Sequence, residues 1–516
     1  MMNYNFVVNL LDFFKINGSF KTAKISLLLT AIVGFISYDL LIVYRVADPD
    51  TIIEGLTYYI NATWAIVGCG RWLLPIVNIL SGNIIMPPFV VAFYCFVMWL
   101  CAIIICRIWK IEKTFHVLVI TICLSVTPAA VSQLVATYMG VCFALACLFA
   151  TVFVYFCFES DSRFSFFLCV CSIVASLALY QSYIAHAATL TLMTLALYLY
   201  QNREQKLIIN KAVKAFITAL AGMVCYFISN KVILALLHLE SSSRLAEFSI
   251  TRIFSDLGST LFGLYKTYFS FLNDATLLRR YLYLFLFVTI VISTVLYLLK
   301  KEVNIVYKVL FVLCLILIPF ATNVIGLITP DNPITVLMTY QYILIVPFAF
   351  ALINKQIRIS EYTVIVLSVI LCWTHVVSAN ATFECYRMSH DYVYNQYSQV
   401  IYDVQHTEGY VKDETPVLIA GFFDDSTLRK NIRTYDYSFE LFDDLVFWDT
   451  LGGATYNRHR YVMQYFGLDF IDFSIEEYQR IISTDEFKKM NLWPDKEGMK
   501  FIDGYLVVKI NDNVAK

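Results

Sequence analysis

The chain has 516 residues, of which 59% are hydrophobic and 15% are charged, and its formal net charge at pH 7 is −1. Soluble globular proteins carry about a quarter charged residues, so this apolar surplus predicts a protein that lies in a lipid bilayer. The near-neutral charge disfavours a nucleic-acid-binding protein, which needs a basic face.

The segment 1–24 is amphipathic, and we expect it to lie on the cytoplasmic surface of the membrane. Its apolar positions include Phe6, Leu10 and Phe13. No small-residue cleavage site follows a short apolar core, which disfavours a signal peptide. Such a stretch is typical of a helix at the membrane interface.

Apolar stretches long enough to cross about 30 Å of hydrocarbon follow along the chain. They predict eleven spans, near 25–44, 87–107, 114–130, 136–157, 164–181, 183–200, 212–236, 281–299, 304–325, 335–353 and 361–379. The stretches beside Pro128 and beside Gln181 follow each other so closely that we expect a very short reverse turn at each. The predicted fold class is a polytopic α-helical membrane protein with a transmembrane bundle over 25–379.

Lysine and arginine in the short loops predict the orientation, because such loops are enriched on the cytoplasmic side. One set of loops holds Lys15, Lys21, Lys24, Arg107, Lys110, Lys113, Arg203, Lys206, Lys211, Lys214, Lys300, Lys301, Lys355 and Arg358. The opposite set is nearly free of them, apart from Arg45, Arg71 and the segment 238–280. We therefore expect a cytoplasmic N-terminus and, with an odd number of spans, a C-terminus outside.

Long segments are expected only on the outer face: the loops 45–86 and 238–280 and the tail 380–516. The tail mixes charged residues with strand-like runs at Val417–Gly421 and Tyr505–Ile510. Its length suffices for a small α/β domain with its own core. An elaborate functional site is therefore expected on the outer face.

Acidic residues follow the first predicted span, at Asp48, Asp50 and Glu54. A carboxylate at the membrane edge can deprotonate the hydroxyl group of an acceptor. Solvated acidic residues without a function give the same pattern, so the position alone leaves both interpretations open.

Arg45 and Arg71 bracket the same loop, and Trp72 follows directly. A guanidinium group suits phosphate because its planar fork donates two hydrogen bonds at once. An arginine that extends toward lipid headgroups is the alternative. The second loop is also basic, at Arg244, Arg252, Lys266, Arg279 and Arg280, which fits either anion binding or contact with anionic lipids.

No metal or cofactor site is expected. Most of the 14 cysteines lie in apolar runs, where cysteine behaves as a small apolar residue. No paired CxxC motifs occur at zinc spacing, and no glycine-rich loop typical of phosphate binding is found.

Three further motifs occur in order along the chain. The first outer loop closes on Trp64 and Gly70-Arg71-Trp72, and Tyr180-Gln181-Ser182-Tyr183 lies at the turn between two predicted spans. The third motif lies in the last 30 residues and comprises Met490-Asn491-Leu492-Trp493-Pro494, then Gly498, then Gly504-Tyr505-Leu506-Val507-Val508-Lys509. With these motifs, the chain resembles the serotype-converting O-antigen glucosyltransferases of bacteria and their phages, the glucosyl transferase II type, over nearly its whole length.

This resemblance implies an inverting glycosyltransferase of the C-type superfamily (GT-C) in the bacterial inner membrane, without a cofactor. The implied donor is undecaprenyl-phosphate glucose, and the implied acceptor is a hydroxyl group of lipid-linked O-antigen in the periplasm. The implied partners in the pathway are a donor synthase and a flippase. A first-loop carboxylate is the implied general base. The family often has adjacent acidic residues there, whereas Pro49 separates Asp48 from Asp50, so the choice between the two stays open.

Under this interpretation, Arg45, Glu54, Arg71 and Trp72 are candidate residues for binding the donor and its phosphate. In the tail, Trp493 and Lys509 are weaker candidates for acceptor binding, beside the aromatic residues Trp448, Tyr456 and Tyr461. Trp493 equally suits a core position, and Lys509 equally suits the exposed edge of a sheet.

Other functions remain as alternatives. An O-antigen polymerase, or a transferase that uses another polyprenyl-phosphate sugar, shares the lipid-linked donor and the outer site. A transporter of lipids or sugars predicts ionisable residues near the bilayer midplane and interrupted spans at matching positions of two halves. Here Pro128, Pro319 and Pro347 are scattered and the charges lie mainly in outer loops, which favours an enzyme.

Overall fold

The structure is a computed structural model that describes residues 14–16, 19–44, 64–79, 85–160, 162, 164–241, 257–274, 276–328, 334–353, 358–421, 423 and 474–512. The chain divides into two compact units. The first comprises Met1–Asp39 and Ile60–Asn380, and the second comprises Leu40–Tyr59 and Ala381–Lys516.

Helices account for most of the described residues. In chain order they are α1 (Lys21–Tyr44), α2 (Trp64–Val67), α3 (Leu74–Asn78), α4 (Pro87–Trp109), α5 (Thr114–Ser125), α6 (Pro128–Val135), α7 (Gly140–Phe158), α8 (Phe164–Leu179), α9 (Tyr183–Tyr200), α10 (Gln205–Leu236), α11 (Leu257–Asp274), α12 (Leu277–Leu299), α13 (Ile305–Thr322), α14 (Ile325–Ile328), α15 (Ile345–Ile353), α16 (Arg358–Gln405), α17 (Ile475–Ile482) and α18 (Asp485–Lys488). Short 3-10 turns lie at Thr137–Met139, Val336–Met338, Tyr340–Leu344 and Lys496–Gly498.

Among the described residues, eight helices are long and apolar enough to cross a membrane, or nine if the bent pair α5–α6 forms one span. The shorter apolar segments Phe164–Leu179 and Tyr340–Ile353 coincide with two further predicted spans. Each predicted apolar stretch therefore falls on helix, as is typical of a polytopic membrane protein. That all eleven cross the bilayer stays a prediction.

At Pro128 the structure has a bend instead of the expected reverse turn. Helices α5 and α6 meet at 40°, and the helix continues to Val135 before the next span begins. Pro128 fits the first turn of α6, where its missing N–H is not needed. The Thr127 hydroxyl accepts a hydrogen bond from the Ala130 N–H at 2.9 Å, which caps the new helix. The short turn predicted at Gln181 is confirmed between α8 and α9.

Three consecutive backbone carbonyls at the end of α5 are bound by side chains from other elements. They belong to Leu124, Ser125 and Val126. The Tyr340 hydroxyl donates to the first at 2.6 Å, the Tyr38 hydroxyl donates to the second at 2.8 Å, and Nδ1 of His375 lies 3.0 Å from the third. Since backbone groups within a membrane need partners from the protein, these contacts stabilise the bend.

Gln133, a buried residue of α6, forms three hydrogen bonds to other parts of the first unit. The Gln133 side-chain oxygen accepts hydrogen bonds from the hydroxyls of Tyr94 at 2.8 Å and Tyr183 at 3.1 Å. Its amide nitrogen donates to the Leu337 carbonyl at 3.0 Å. These bonds use both ends of the amide, so Gln133 connects α4, α6 and α9 within the bundle.

The second unit contains a three-stranded mixed sheet in the order β1-β3-β2, with β1 at Val417–Ala420, β2 at Met499–Ile502 and β3 at Tyr505–Lys509. Strand β1 pairs with β3 in parallel, and β2 pairs with β3 antiparallel. Both strand-like runs predicted in the tail are thus confirmed as strands. That the whole tail is a periplasmic α/β domain stays a prediction.

Alternate residues of the strands supply two cores, because successive side chains point to opposite faces of a sheet. One face, with Val417 and Ile419, packs against the end of α16 around Val400. The other, with Leu418, packs against α17 and α18 around Ile481.

Candidate functional site

Part of the predicted site lies outside the described residues. This applies to Arg45, Asp48, Asp50, Glu54, Arg244, Arg252, Trp448, Tyr456 and Tyr461. The described part of the loop predicted at 45–86 begins at Trp64 and includes both Arg71 and Trp72.

Gly70 ends the short helix α2 and sets the direction of the chain into Arg71. Its φ of 82° lies in the left-handed region, which glycine adopts at little cost. Its N–H donates to the Val67 carbonyl at 2.8 Å, and the Arg71 N–H donates to the Ile66 carbonyl at 3.2 Å. This pair of bonds is the Schellman motif that closes many helices. The glycine of the Gly-Arg-Trp triplet therefore has a local structural role.

The Arg71 guanidinium is half-buried between a ring and a sulfur atom. It lies 5.1 Å from the ring centroid of Tyr180, and its Nη1 lies 3.4 Å from the Met139 sulfur. Among the described residues, no carboxylate forms an ion pair with Arg71, and its buried Nε has no hydrogen-bond partner. Because thioether sulfur is a weak acceptor, the described residues use little of the donor capacity of Arg71.

Gln181 and Tyr226 bind the backbone just before Arg71. The Gln181 amide donates to the Cys69 carbonyl at 2.6 Å and to the Tyr226 hydroxyl at 2.9 Å. The Tyr226 hydroxyl in turn donates to the Gly70 carbonyl at 3.1 Å. The motif at the α8–α9 turn and the motif in the first outer loop, about 110 residues apart in sequence, are thus in direct contact.

Trp72 adds a second donor beside Arg71. Its indole Nε1 is buried and has no partner among the described residues. The following N–H, of Leu73, donates to the Ala178 carbonyl at 3.2 Å, so this backbone is also held by the end of α8. We call Ala178, Tyr180, Gln181 and Tyr226 the Arg71 platform.

The basic residues of the second loop are in part inside the first unit. Arg279 lies in the first turn of α12, is buried, and donates from Nη1 to the Ser378 hydroxyl at 3.3 Å. One turn later the Tyr283 hydroxyl lies 3.1 Å from Nε2 of His375. Arg279 thus belongs to a buried polar cluster and is not an exposed loop residue.

Trp493 and Lys509 are both buried in the second unit. The Trp493 indole is 9% exposed and donates to the Asp403 carboxylate at 2.9 Å. Lys509 is 4% exposed, donates from Nζ to the Met490 carbonyl at 3.1 Å, and pairs with Asp512 at 2.9 Å. These contacts give both residues a structural role, and acceptor binding by either stays a prediction.

The two glycines of the terminal motif have local structural roles as well. A Cβ at Gly498 would lie 2.6 Å from the Leu492 carbonyl carbon and 2.8 Å from the Trp493 Cα, closer than atoms approach. Asp503 and Gly504 connect β2 to β3 with φ of 47° and 85°, as a tight type I′ hairpin turn requires.

Among the described residues, no cluster of three or more His, Cys, Asp or Glu side chains is arranged to hold a metal ion. The expectation of a metal-free site stays a prediction.

Sequence reasoning missed the Arg71 platform as a unit. Tyr226 is one tyrosine within the long apolar helix α10. Its polar hydroxyl among apolar residues is the only sequence feature that indicates a hydrogen bond to another element. The sequence indicates Gln181 only as part of a motif, because no neighbouring residue indicates its hydrogen-bond partner.

A family model described as glucosyl transferase GtrII matches residues 50–346, more than half of the chain. No curated protein and no solved structure is found to match. The matched segment contains Arg71 and its whole platform, and it ends before Trp493 and Lys509. The chain therefore belongs to the glucosyl transferase GtrII family of glycosyltransferases.

Proposed function

We propose that the protein transfers glucose from undecaprenyl-phosphate glucose to a hydroxyl group of lipid-linked O-antigen, on the periplasmic side of the bacterial inner membrane. The observation that carries this proposal is the half-buried Arg71 guanidinium, which forms no ion pair among the described residues. Family membership supports the choice of glucose as the transferred sugar.

In this proposal Arg71 binds the phosphate of the donor. Phosphate oxygens form short, charge-assisted hydrogen bonds to guanidinium groups, and these bonds are stronger than neutral ones. The indole N–H of Trp72 provides a neighbouring donor that has no partner among the described residues. Arg45 and Glu54, from the same outer loop, complete the proposed donor site.

Asp48 or Asp50 acts as the general base. The carboxylate takes the proton of the acceptor hydroxyl while the hydroxyl oxygen bonds to the anomeric carbon of glucose. The bond from that carbon to the phosphate oxygen breaks on the opposite side, so the configuration inverts. Undecaprenyl phosphate leaves as an anion, and Arg71 stabilises the charge that develops on it.

The proposed topology places this chemistry outside the cytoplasm. The N-terminus is cytoplasmic, eleven spans cross the membrane, and the tail forms a periplasmic α/β domain that contacts the acceptor. The distribution of Lys and Arg among the short loops supports this orientation. A synthase supplies the donor, and a flippase turns it to the outer face.

The test is a whole-cell glycan analysis. The chain is expressed with a donor synthase and a flippase in a bacterial host that carries O-antigen, and the mass of the repeat unit is compared with that of cells lacking the chain. We expect a gain of one hexose per repeat unit. We also expect the gain to be lost in Asp48→Asn or Asp50→Asn, while the variant protein still inserts into the membrane.

Other outcomes contradict particular parts of the proposal. An unchanged repeat mass with altered chain length indicates polymerisation. Unchanged glycans across several O-antigen hosts favour a transporter. Wild-type transfer in both aspartate variants removes the general-base assignment while leaving the reaction in place.

A further inference from the structure

We infer that Gln181 and Tyr226 are positioning residues for the donor: they hold the backbone of Arg71 so that its guanidinium is set for the donor phosphate before the donor binds. This inference rests on the proposed function, since it takes Arg71 as the phosphate-binding residue. It gives a function to Gln181 in the motif at the α8–α9 turn and to Tyr226 in α10.

Two backbone carbonyls follow the end of α2 and need partners. The Schellman bonds use the N–H groups of Gly70 and Arg71, but they leave the carbonyls of Cys69 and Gly70 directed away from the helix. A carbonyl in a half-buried site needs a partner, because leaving it unsatisfied costs free energy. The chain supplies no local partner for either one among its described hydrogen bonds.

Gln181 and Tyr226 supply both partners with one closed set of hydrogen bonds. The two N–H groups of the Gln181 amide go to the Cys69 carbonyl at 2.6 Å and to the Tyr226 hydroxyl at 2.9 Å. The Tyr226 hydroxyl accepts that bond and donates its own proton to the Gly70 carbonyl at 3.1 Å. Every donor in this set has one acceptor, so neither side chain can turn without breaking a bond.

The same region holds the chain on the other side of Arg71. The Leu73 N–H donates to the Ala178 carbonyl at 3.2 Å, and the Tyr180 ring lies against the guanidinium. Residues 69, 70 and 73 are thus fixed to residues 178, 181 and 226. Arg71 lies between these fixed points, and the described residues leave its own donors largely unused. A fixed backbone with unused donors is the arrangement expected of a preorganised ligand site.

Neither positioning residue is expected to donate a hydrogen bond to the donor, because the Gln181 amide N–H groups and the Tyr226 hydroxyl already donate to groups of the protein. Their effect on the donor must therefore pass through Arg71. This predicts non-additivity: once the guanidinium is removed, the positioning bonds no longer influence donor use.

The test uses the full-length enzyme in detergent, with labelled undecaprenyl-phosphate glucose as donor and rates normalised to folded protein. Gln181→Met keeps the length of the side chain and removes both donors, and Tyr226→Phe keeps the ring and removes the hydroxyl. We expect each to raise the KM for the donor about tenfold. In the Arg71→Ala background, we expect neither substitution to raise it further.

Tyr340→Phe is the matched control. It removes a buried tyrosine hydroxyl that donates to a backbone carbonyl in the same unit, at Leu124 and 2.6 Å. Tyr340 lies outside the Arg71 platform, so we expect an unchanged KM for the donor. If either Gln181→Met or Tyr226→Phe is poorly folded, the other carries the test.

The outcomes separate the inference from the function on which it rests. An unchanged KM in Gln181→Met and Tyr226→Phe, or an increase that multiplies with that of Arg71→Ala, overturns the positioning role and leaves donor binding by Arg71 intact. A wild-type KM in Arg71→Ala overturns donor binding by Arg71, and with it the inference.

Discussion

The loop predicted at 45–86 and the C-terminal part of the second unit each pair a tryptophan with a basic residue, and the donors of the two pairs have different partners. Trp72 and Arg71 keep buried donors that have no partner among the described residues. In the C-terminal sheet, the Trp493 indole donates to Asp403, and the Lys509 ammonium binds a carbonyl and the Asp512 carboxylate. Both pairs stand in motifs that carry the resemblance seen in the sequence, but the family model covers only the first of them.

This difference shows how the hydrogen-bond partners of a basic residue distinguish a structural role from a binding role. Nearly all buried polar groups in native proteins have a hydrogen-bond partner, so a buried donor without one requires an explanation. In the proposed function, the donor phosphate provides such an explanation for Arg71 and Trp72. Lys509 and Trp493 require none, because the protein itself uses their donors.

Within this comparison of the two pairs, the largest expected effect is at Arg71. Arg71→Ala removes the proposed charge-assisted bonds to the donor phosphate, and we expect kcat/KM for the donor to fall about 100-fold. The amount of folded protein should change little, since the described contacts of the guanidinium are one ring and one sulfur atom. Arg203→Ala is the control, because it removes a guanidinium that lies 3.8 Å from the Tyr198 ring outside the proposed site. An equal fall of kcat/KM in Arg71→Ala and Arg203→Ala would contradict a specific role of Arg71 in donor binding.

Gly498→Ala tests the structural nature of the terminal motif. The added methyl group would meet the backbone of Leu492 and Trp493, which cannot move aside as a flexible side chain does. We expect the second unit to lose about 3 kcal/mol of stability, seen as a lower urea concentration for proteolytic cleavage of that unit. Gly263→Ala is the control, since a Cβ there meets open space. Normal protease resistance in Gly498→Ala would show that the motif tolerates a side chain.

Lys509→Met keeps an unbranched apolar chain against Phe487 and removes the ammonium group. Because two partners lose a hydrogen bond, we expect about 2 kcal/mol of destabilisation in the same proteolysis assay. Transfer per folded molecule should stay at the wild-type level. A raised KM for the acceptor with unchanged stability would instead restore Lys509 as an acceptor-binding residue.

The smallest expected effect is a pH dependence at Glu477. The pKa of this carboxyl is held below its usual value of 4.5, first by the Ser474 N–H and then by the Tyr505 hydroxyl. A lowered folded-state pKa means that the ionised form stabilises the fold above pH 4.5, and that this stability is lost as the pH falls through the folded-state value. We expect protease resistance of the second unit to decline in that window, and Glu477→Gln to lack this part of the decline. Identical profiles for both proteins would exclude the contribution of Glu477.

The apolar helices of the first unit and the two strands β1 and β3 could be predicted, because each is indicated by its own run of apolar residues. A run of apolar residues needs lipid or a core wherever it folds, and the runs at Val417–Gly421 and Tyr505–Ile510 carry the apolar, β-branched residues of buried strands. Proline was less informative. Pro128 begins a second helix after a bend, since the first turn of a helix accepts proline as readily as a turn does.

The Arg71 platform could not be predicted, because its signal is not local. Gln181 and Cys69 are 112 positions apart, and Tyr226 and Gly70 are 156 apart. A glutamine and a tyrosine near apolar helices have many equivalent partners in a bundle of this size. The sequence therefore indicates Arg71 as a candidate but does not indicate what holds it.

The bend between α5 and α6 has a consequence for the order of assembly. Its carbonyls depend on Tyr340 and His375, which follow them by 216 and 249 positions. During synthesis this segment is made long before those partners exist, so its final conformation forms only after His375 has been synthesised. We expect a chain truncated before Tyr340 to hold residues 114–135 in a different conformation, detectable as altered labelling of single cysteines placed on either side of Pro128. Labelling identical to that of the full chain would show that the bend forms without its distant partners.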